Sequence, residues 1–222
     1  NKYIHKKKYN LRTKLNEFDL DEVKIFKKLR PMARGAFDYF VIYELLKKTN
    51  YKKIDDKIII KYKKKLIKHK NNFVKIFYHE RNRLKKKSLN KWIHLHYIYD
   101  DVIKVLKKLR KQNKLLIATL KDAKSVKNIL SKYNIDINSN IILSEKEILS
   151  KLEALNKFKT KFNLKKQDLI FFDDNIHHLI DPKNNNYNVC LAAWGPTSKS
   201  YLKLAKDHSI KVVRNINTFD FI

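Results

Sequence analysis

Apolar residues in the first part of the chain recur every three or four positions. This period is typical of amphipathic helices. It predicts a small helical subdomain over residues 20–92, which follows a segment of residues 1–19. The individual helices are predicted at residues 21–29, 37–48, 54–68 and 73–87.

The remaining residues, 93–222, show short apolar runs that alternate with helical stretches. Strands separated by helices favour a parallel sheet covered by helices. The pattern therefore predicts an α/β fold, and a length of 222 residues suits one such domain plus a subdomain. The strands are predicted at residues 114–119, 141–143 and 169–173, and the helices at residues 123–133 and 150–155.

Two adjacent carboxylates, Asp173 and Asp174, stand where the apolar run 169–172 ends. The carboxyl ends of parallel strands face the ligand crevice. Carboxylate oxygens are also the ligands that hard cations such as Mg²⁺ prefer. Asp173 and Asp174 are therefore candidate metal ligands. The alternative is a strand-to-helix turn in which one Asp caps the following helix.

A hydroxyl and a lysine follow an earlier predicted strand. Thr119 ends this strand, and Lys121 comes just before the helix predicted at residues 123–133. Free backbone N–H groups and the helix dipole favour an anion at such a position. Thr119 and Lys121 are therefore candidate phosphate-binding residues.

The order of these motifs resembles the haloacid dehalogenase superfamily, which consists mostly of Mg²⁺-dependent phosphohydrolases. A strand ending in Thr119 is followed by Lys151 before a Leu-x-x-Leu helix, and then by a strand ending in Asp173 and Asp174. The resemblance covers about residues 95–215. It implies a Rossmannoid parallel-sheet core with residues 20–92 as an inserted α-helical cap. It further implies that Thr119 and Lys151 hold the transferring phosphoryl group, and that Asp173 and Asp174 bind Mg²⁺.

Two positions near the acids depart from the family's pattern. Asp173 stands where a small residue is usual, and His178 stands where a second acid is usual. His178 is expected either to contact a metal-bound water or to lie on a helix surface.

The family's nucleophile motif is the larger departure. It is an apolar strand ending in Asp-x-Asp, whose first carboxylate attacks phosphorus and whose second transfers the proton. Phe18-Asp19-Leu20-Asp21 has the right frame, but residues 10–17 are too polar for a buried central strand. A helix start with acids in its first turn fits this segment better. We therefore expect the nucleophile strand to lie upstream of Asn1 and the 222-residue chain to be inactive as given.

Two basic features of the cap have alternative interpretations. Arg34 is the candidate for substrate contact, because a guanidinium can bind a phosphate through two hydrogen bonds. The alternative is a solvated arginine beside a close helix packing at Ala33 and Gly35. The basic run at residues 81–87 is expected to be a solvated helix face, with a groove for a polyanion as the alternative.

The net charge of +30 would suit a nucleic-acid-binding protein. However, lysine occurs on nearly every predicted helix and the chain has only 2 glycines, as an AT-rich coding sequence would produce. The expected partner is therefore a small phosphorylated substrate, which the positive field attracts. The alternative function is a non-catalytic protein of the same fold that binds RNA or another polyanion through its basic surface.

The expected location is the cytoplasm. Cys190 is the single cysteine and lies in an apolar run, which agrees with a reducing compartment. No apolar run approaches the roughly 20 residues of a membrane-spanning helix.

Overall fold

The computed structural model describes residues 20–33, 35–48, 54–96, 98–144, 146–195 and 197–221. The chain divides into two compact units, Asn1–Tyr78 and His79–Ile222. This division falls inside one long helix. The boundary between cap and core after residue 92 stays a prediction.

The first unit is helical in its described part. Its helices are α1 (Leu20–Leu29), α2 (Ala36–Leu46), α3 (Asp56–Lys65) and α4 (Lys70–Lys87), and α4 continues into the second unit. Asp55 begins α3, because its side chain accepts a hydrogen bond of 2.8 Å from the Ile58 amide. The helices predicted from the apolar period in this part of the sequence are confirmed.

Helix α2 supplies most of the core of the first unit. It is apolar along most of its length, so packing from several sides is needed to bury it. Its one buried carboxylate, Asp38, forms an ion pair of 2.5 Å with Lys63 of α3. The buried apolar residues of this core are Leu29, Ala33, Phe37, Phe40, Val41, Ile42, Leu45, Ile54 and Ile59.

The second unit alternates helices and short strands in the order that the sequence predicts. After the end of α4 come α5 (Leu89–His94), α6 (Asp100–Lys111), β1 (Ile117–Ala118), α7 (Ala123–Ser131), β2 (Ile142–Leu143), α8 (Lys151–Lys161), β3 (Ile170–Asp173), α9 (His177–Asn184), β4 (Asn188–Ala192), α10 (Lys199–Asp207) and β5 (Lys211–Val213).

The strands pair in parallel, which confirms the predicted α/β fold. β1 pairs with β2, with Ile117 opposite Ile142. β4 pairs with β3 on one side and with β5 on the other, and Phe172 lies opposite Cys190. The strand predicted at residues 114–119 is present, but its paired part is only Ile117–Ala118.

Exposure along the strands is uneven. The residues of β4 from Val189 to Ala192 are buried, as expected for an inner strand of a parallel sheet. In contrast, all four residues of β3 and both residues of β1 are only half-buried, although most of them are apolar. No ladder joins β1 to β3 among the described strands. β1 and β3 therefore each have one edge that no described strand covers.

Aromatic residues near the C-terminus cover part of β3. The Phe172 ring lies 4.9 Å from the Phe219 ring and 5.9 Å from the Phe221 ring, measured between centroids. Phe221 also packs against the cluster that contains Ile117 and Ile142. These contacts shield one aromatic side chain of β3 but do not supply a strand.

None of the helices in the described ranges is long and apolar enough to span a lipid bilayer.

Candidate functional site

Lys151 is a charged side chain that is nearly buried, with 8% of its surface exposed. It is the first residue of α8, which begins where Ser150 accepts a hydrogen bond of 3.1 Å from the Glu153 amide. The Lys151 Nζ donates a 2.7 Å hydrogen bond to the Ala118 carbonyl at the end of β1. It also lies 3.8 Å from Oδ2 of Asp173 at the end of β3. One ammonium group therefore joins the carboxyl ends of the two strands.

The surroundings of Lys151 have opposing effects on its charge. Burial lowers the pKa of Lys151, and the negative charges of Asp173 and Asp174 oppose this shift. An ammonium has three N–H donors, of which the Ala118 carbonyl accepts one. The group therefore has donor capacity left for an anion at the strand ends.

Thr119 is the residue after Ala118. Because the Ala118 carbonyl accepts the hydrogen bond from Lys151, the Thr119 backbone lies next to the ammonium group. Its backbone amide extends the β1–β2 pairing by donating to the Leu143 carbonyl at 2.9 Å. Its hydroxyl oxygen accepts a hydrogen bond of 3.0 Å from the Lys121 amide. The hydroxyl hydrogen can then donate elsewhere. The structure therefore brings together Thr119 and Lys151, which the sequence motifs associated.

Helix α7 starts just after Thr119, as the sequence predicts. Asp122 caps it, with Oδ1 accepting a hydrogen bond of 2.8 Å from the Ser125 amide. The N-terminal end of a helix carries a partial positive charge. The strand end and the helix start together form a short turn with donors and positive potential.

Asp173 has both carboxylate oxygens directed at protein donors. Oδ1 accepts a hydrogen bond of 2.8 Å from the Asn175 amide, and Oδ2 lies 3.1 Å from Nδ1 of His178. The side chain of Asn175 in turn lies 3.4 Å from Nε2 of His178. His178 is thus neither a simple surface residue nor remote from the acids, since it contacts Asp173 directly.

Asp174 is exposed, and it follows Asp173 at the carboxyl end of β3. No group of three or more His, Cys, Asp or Glu side chains in the described ranges is arranged to hold a metal ion. Mg²⁺ is commonly bound by only one or two carboxylates, together with waters and substrate phosphate oxygens. An exposed carboxylate at a strand end meets that requirement, and Asp173 and Asp174 stay the predicted Mg²⁺ ligands.

Two other sequence candidates lie outside the described residues. These are Arg34, the predicted substrate contact, and Asp19, the first acid of the Asp-x-Asp frame. Asp21, the second acid of that frame, lies in the first turn of helix α1, as the sequence indicated.

Sequence reasoning missed two parts of the site. The Ala118 carbonyl, which holds Lys151, carries no side-chain signal that could reveal it. Asn175 orders the loop after β3, since its Oδ1 accepts a hydrogen bond of 3.1 Å from the His177 amide. Asn in a strand-to-helix turn is a recognisable signal for such a contact.

A sequence profile of the haloacid dehalogenase-like hydrolases matches residues 18–192. Because this match covers most of the chain, the protein belongs to that family of hydrolases. The matched segment begins at Phe18, so it includes the Asp19-Leu20-Asp21 frame. Searches among curated proteins and among solved structures find no significant match.

Proposed function

We propose that this protein is a Mg²⁺-dependent phosphohydrolase that cleaves a small phosphomonoester through an aspartyl-phosphate. The observation that carries the proposal is the position of the Lys151 ammonium. It lies between the Ala118 carbonyl, which precedes Thr119 at the end of β1, and the Asp173 carboxylate that ends β3. A buried cation at this place would stabilise the negative charge of a transferring phosphoryl group.

Each residue of the site has a role in this proposal. Lys151 donates hydrogen bonds to the phosphoryl oxygens, and the Thr119 hydroxyl orients the group for attack. Asp173 holds Lys151 by an ion pair. Asp174 is the protein ligand for Mg²⁺, which would offset the charge of the phosphate oxygens when bound.

The uncovered edges of β1 and β3 support placing the strand that carries the nucleophile between them. An additional parallel strand between them would pair with both and bury their half-exposed apolar residues. Its carboxyl end would then meet Lys151 and Thr119. We place the Asp-x-Asp motif on such a strand. Asp21 is the poorer candidate, because it lies in a helix.

The reaction in this proposal has two displacements. The first Asp of the motif attacks phosphorus, the bond from phosphorus to the ester oxygen breaks, and the second Asp protonates the leaving alkoxide. Water, deprotonated by the same second Asp, then attacks the aspartyl-phosphate. This step releases inorganic phosphate and restores the first carboxylate.

The proposal is tested by substitutions in a form of the protein that carries the Asp-x-Asp strand. Thr119→Val, Lys151→Met and Asp174→Asn should each lower kcat/KM for para-nitrophenyl phosphate by about 100-fold or more, since each removes charge stabilisation of the transition state. Lys157→Met is the matched control, because Lys157 is an exposed lysine on the same helix. Wild-type activity in Lys151→Met would overturn the proposal.

A further inference from the structure

A second group of cationic side chains lies next to the phosphate-binding turn, around the buried ring of Trp92. Trp92 is 3% exposed. Lys85 Nζ, Lys121 Nζ and the guanidinium carbon of Arg81 lie 4.9, 5.6 and 5.7 Å from the ring centroid. Two of these residues come from α4, and Lys121 comes from the turn that follows β1. We call these three residues the Trp92 basic cluster.

The basic run at residues 81–87 is therefore not simply a solvated helix face. The expectation is wrong for Arg81 and Lys85, whose side chains are 22% and 20% exposed. Both lie 3.4 Å from the same oxygen, Oδ2 of Asp122. The sequence could not reveal this, because the contact joins residues about 40 positions apart.

Asp122 is a shared partner for these two cations, and Lys85 Nζ also donates a hydrogen bond of 2.7 Å to the Ser125 hydroxyl. The shorter hydrogen bonds of Asp122 go to Ser125, at 2.8 Å from the amide and 2.5 Å from the hydroxyl. Burial would raise the pKa of Asp122, but the hydrogen bonds from Ser125 and the charge of Lys85 lower it. The Asp122 carboxylate stays ionised, and it is shared between a helix cap and two cations.

His96 reports the positive potential of the cluster. Its Nδ1 lies 3.0 Å from the Trp92 carbonyl, and its Nε2 lies 3.4 Å from Lys121 Nζ. Burial lowers the pKa of His96, and the charges of Lys121 and Arg81 lower it further, against the effect of the Trp92 carbonyl. The neutral His96 ring therefore accepts a hydrogen bond from Lys121 and adds no negative charge to the cluster.

Like charges held around one ring repel each other, and their contacts with the ring face offset this repulsion only in part. An anion at the cluster would remove the repulsion. The cluster is also continuous with the proposed phosphoryl site, since the Lys121 amide donates to the Thr119 hydroxyl. A ligand that reaches Thr119 with one phosphate could therefore reach the cluster with another group.

We infer that Arg81, Lys85 and Lys121 form a second anion subsite, and that the substrate is a small bisphosphate whose second phosphate binds there. This inference rests on the proposed function for the reacting phosphate. The second phosphate stays bound to the substrate and takes no part in bond breaking.

Binding measurements test the subsite separately from turnover. Isothermal titration at constant ionic strength would compare propyl phosphate with propane-1,3-diyl bisphosphate. The bisphosphate should bind about tenfold more tightly, as one additional charged hydrogen-bonding group would give. Arg81→Ala and Lys85→Met should each remove most of this advantage and leave the affinity for propyl phosphate unchanged.

Two variants control for nonspecific attraction and for folding. Arg83→Ala removes an exposed charge from the same helix and should keep the full advantage. Lys85→Arg retains the charge and should restore the affinity advantage of the bisphosphate, which a purely structural defect would not allow. Equal affinity for the two ligands, or an unchanged advantage in Arg81→Ala and Lys85→Met, would overturn the inference. Failure of a form that carries the Asp-x-Asp strand to release phosphate, with the bisphosphate advantage intact, would instead count against the proposed function and not against the subsite.

Discussion

At the scale of single residues, the site depends on a cation kept in a place where a charge is unfavourable. Lys151 is buried, and burial lowers its pKa. Asp173 counters this with its own charge and is itself held by Asn175 and His178. Removing either Lys151 or Asp173 leaves the other charge buried without its partner. This lowers the free energy of unfolding more than the loss of an exposed ion pair does.

Asp173→Asn should therefore destabilise the chain. We expect a loss of about 3 kcal/mol in the free energy of unfolding, because the buried ammonium loses its ion-pair partner. Urea denaturation followed by circular dichroism would measure it. Asp136→Asn, at an exposed position, should change the free energy by no more than about 0.5 kcal/mol. Equal values for the two variants would show that the Lys151 ion pair contributes little.

At the scale of elements, the start of helix α8 fixes the backbone position from which the Lys151 side chain extends to β1. The helix starts at Lys151 because the Ser150 hydroxyl accepts from the Glu153 amide. The Glu153 carboxylate reaches back to the Leu149 amide at 2.6 Å. Such reciprocal bonding satisfies donors that the first turn otherwise leaves open. The capping residues therefore set the position of the catalytic candidate.

Ser150→Ala should lower the free energy of unfolding by about 1 kcal/mol, as loss of an N-cap typically does. It should also weaken phosphate binding, since Lys151 occupies the first turn. Urea titration and a phosphate-binding isotherm would measure the two effects. Ser139→Ala should change neither by a comparable amount, because the Ser139 hydroxyl lies in a short 3₁₀ turn and accepts a solvent-exposed hydrogen bond from the Lys127 side chain. Unaltered stability in Ser150→Ala would contradict the capping role.

Much of the element order could be predicted, because apolar runs and helical periods are local signals. The strand at β3 and the helix after Ser150 are examples. The sequence could not predict that β1 pairs with β2 and with no other described strand. Such pairing depends on contacts between residues far apart in the chain. The contacts of Lys85 with Trp92 and Asp122 could not be predicted for the same reason. A charged residue on a helix has the same local sequence whether or not a neighbour covers it.

At the scale of the whole molecule, the net charge of +30 and the site favour the same kind of ligand. A positive field draws anions from solution and weakens as salt screens it. The basic surface alone does not choose between a small phosphate ester and a polyanion. Binding of RNA stays a prediction, whereas the arrangement of Thr119, Lys151 and Asp174 supports a reaction on phosphate.

The uncovered edges in the second unit connect fold and activity. If a nucleophile strand belongs between β1 and β3, it completes one continuous sheet and the site at the same time. The same step would bury the half-exposed apolar residues of β3.

The most direct test is to compare Mg²⁺-dependent phosphate release by the 222-residue chain and by an N-terminally extended form that carries an apolar strand ending in Asp-x-Asp. We predict release only from the extended protein, and loss of that release when the first Asp of its Asp-x-Asp motif is changed to Asn. Release from the 222-residue chain alone, or none from an extended protein that carries the motif, would contradict the account.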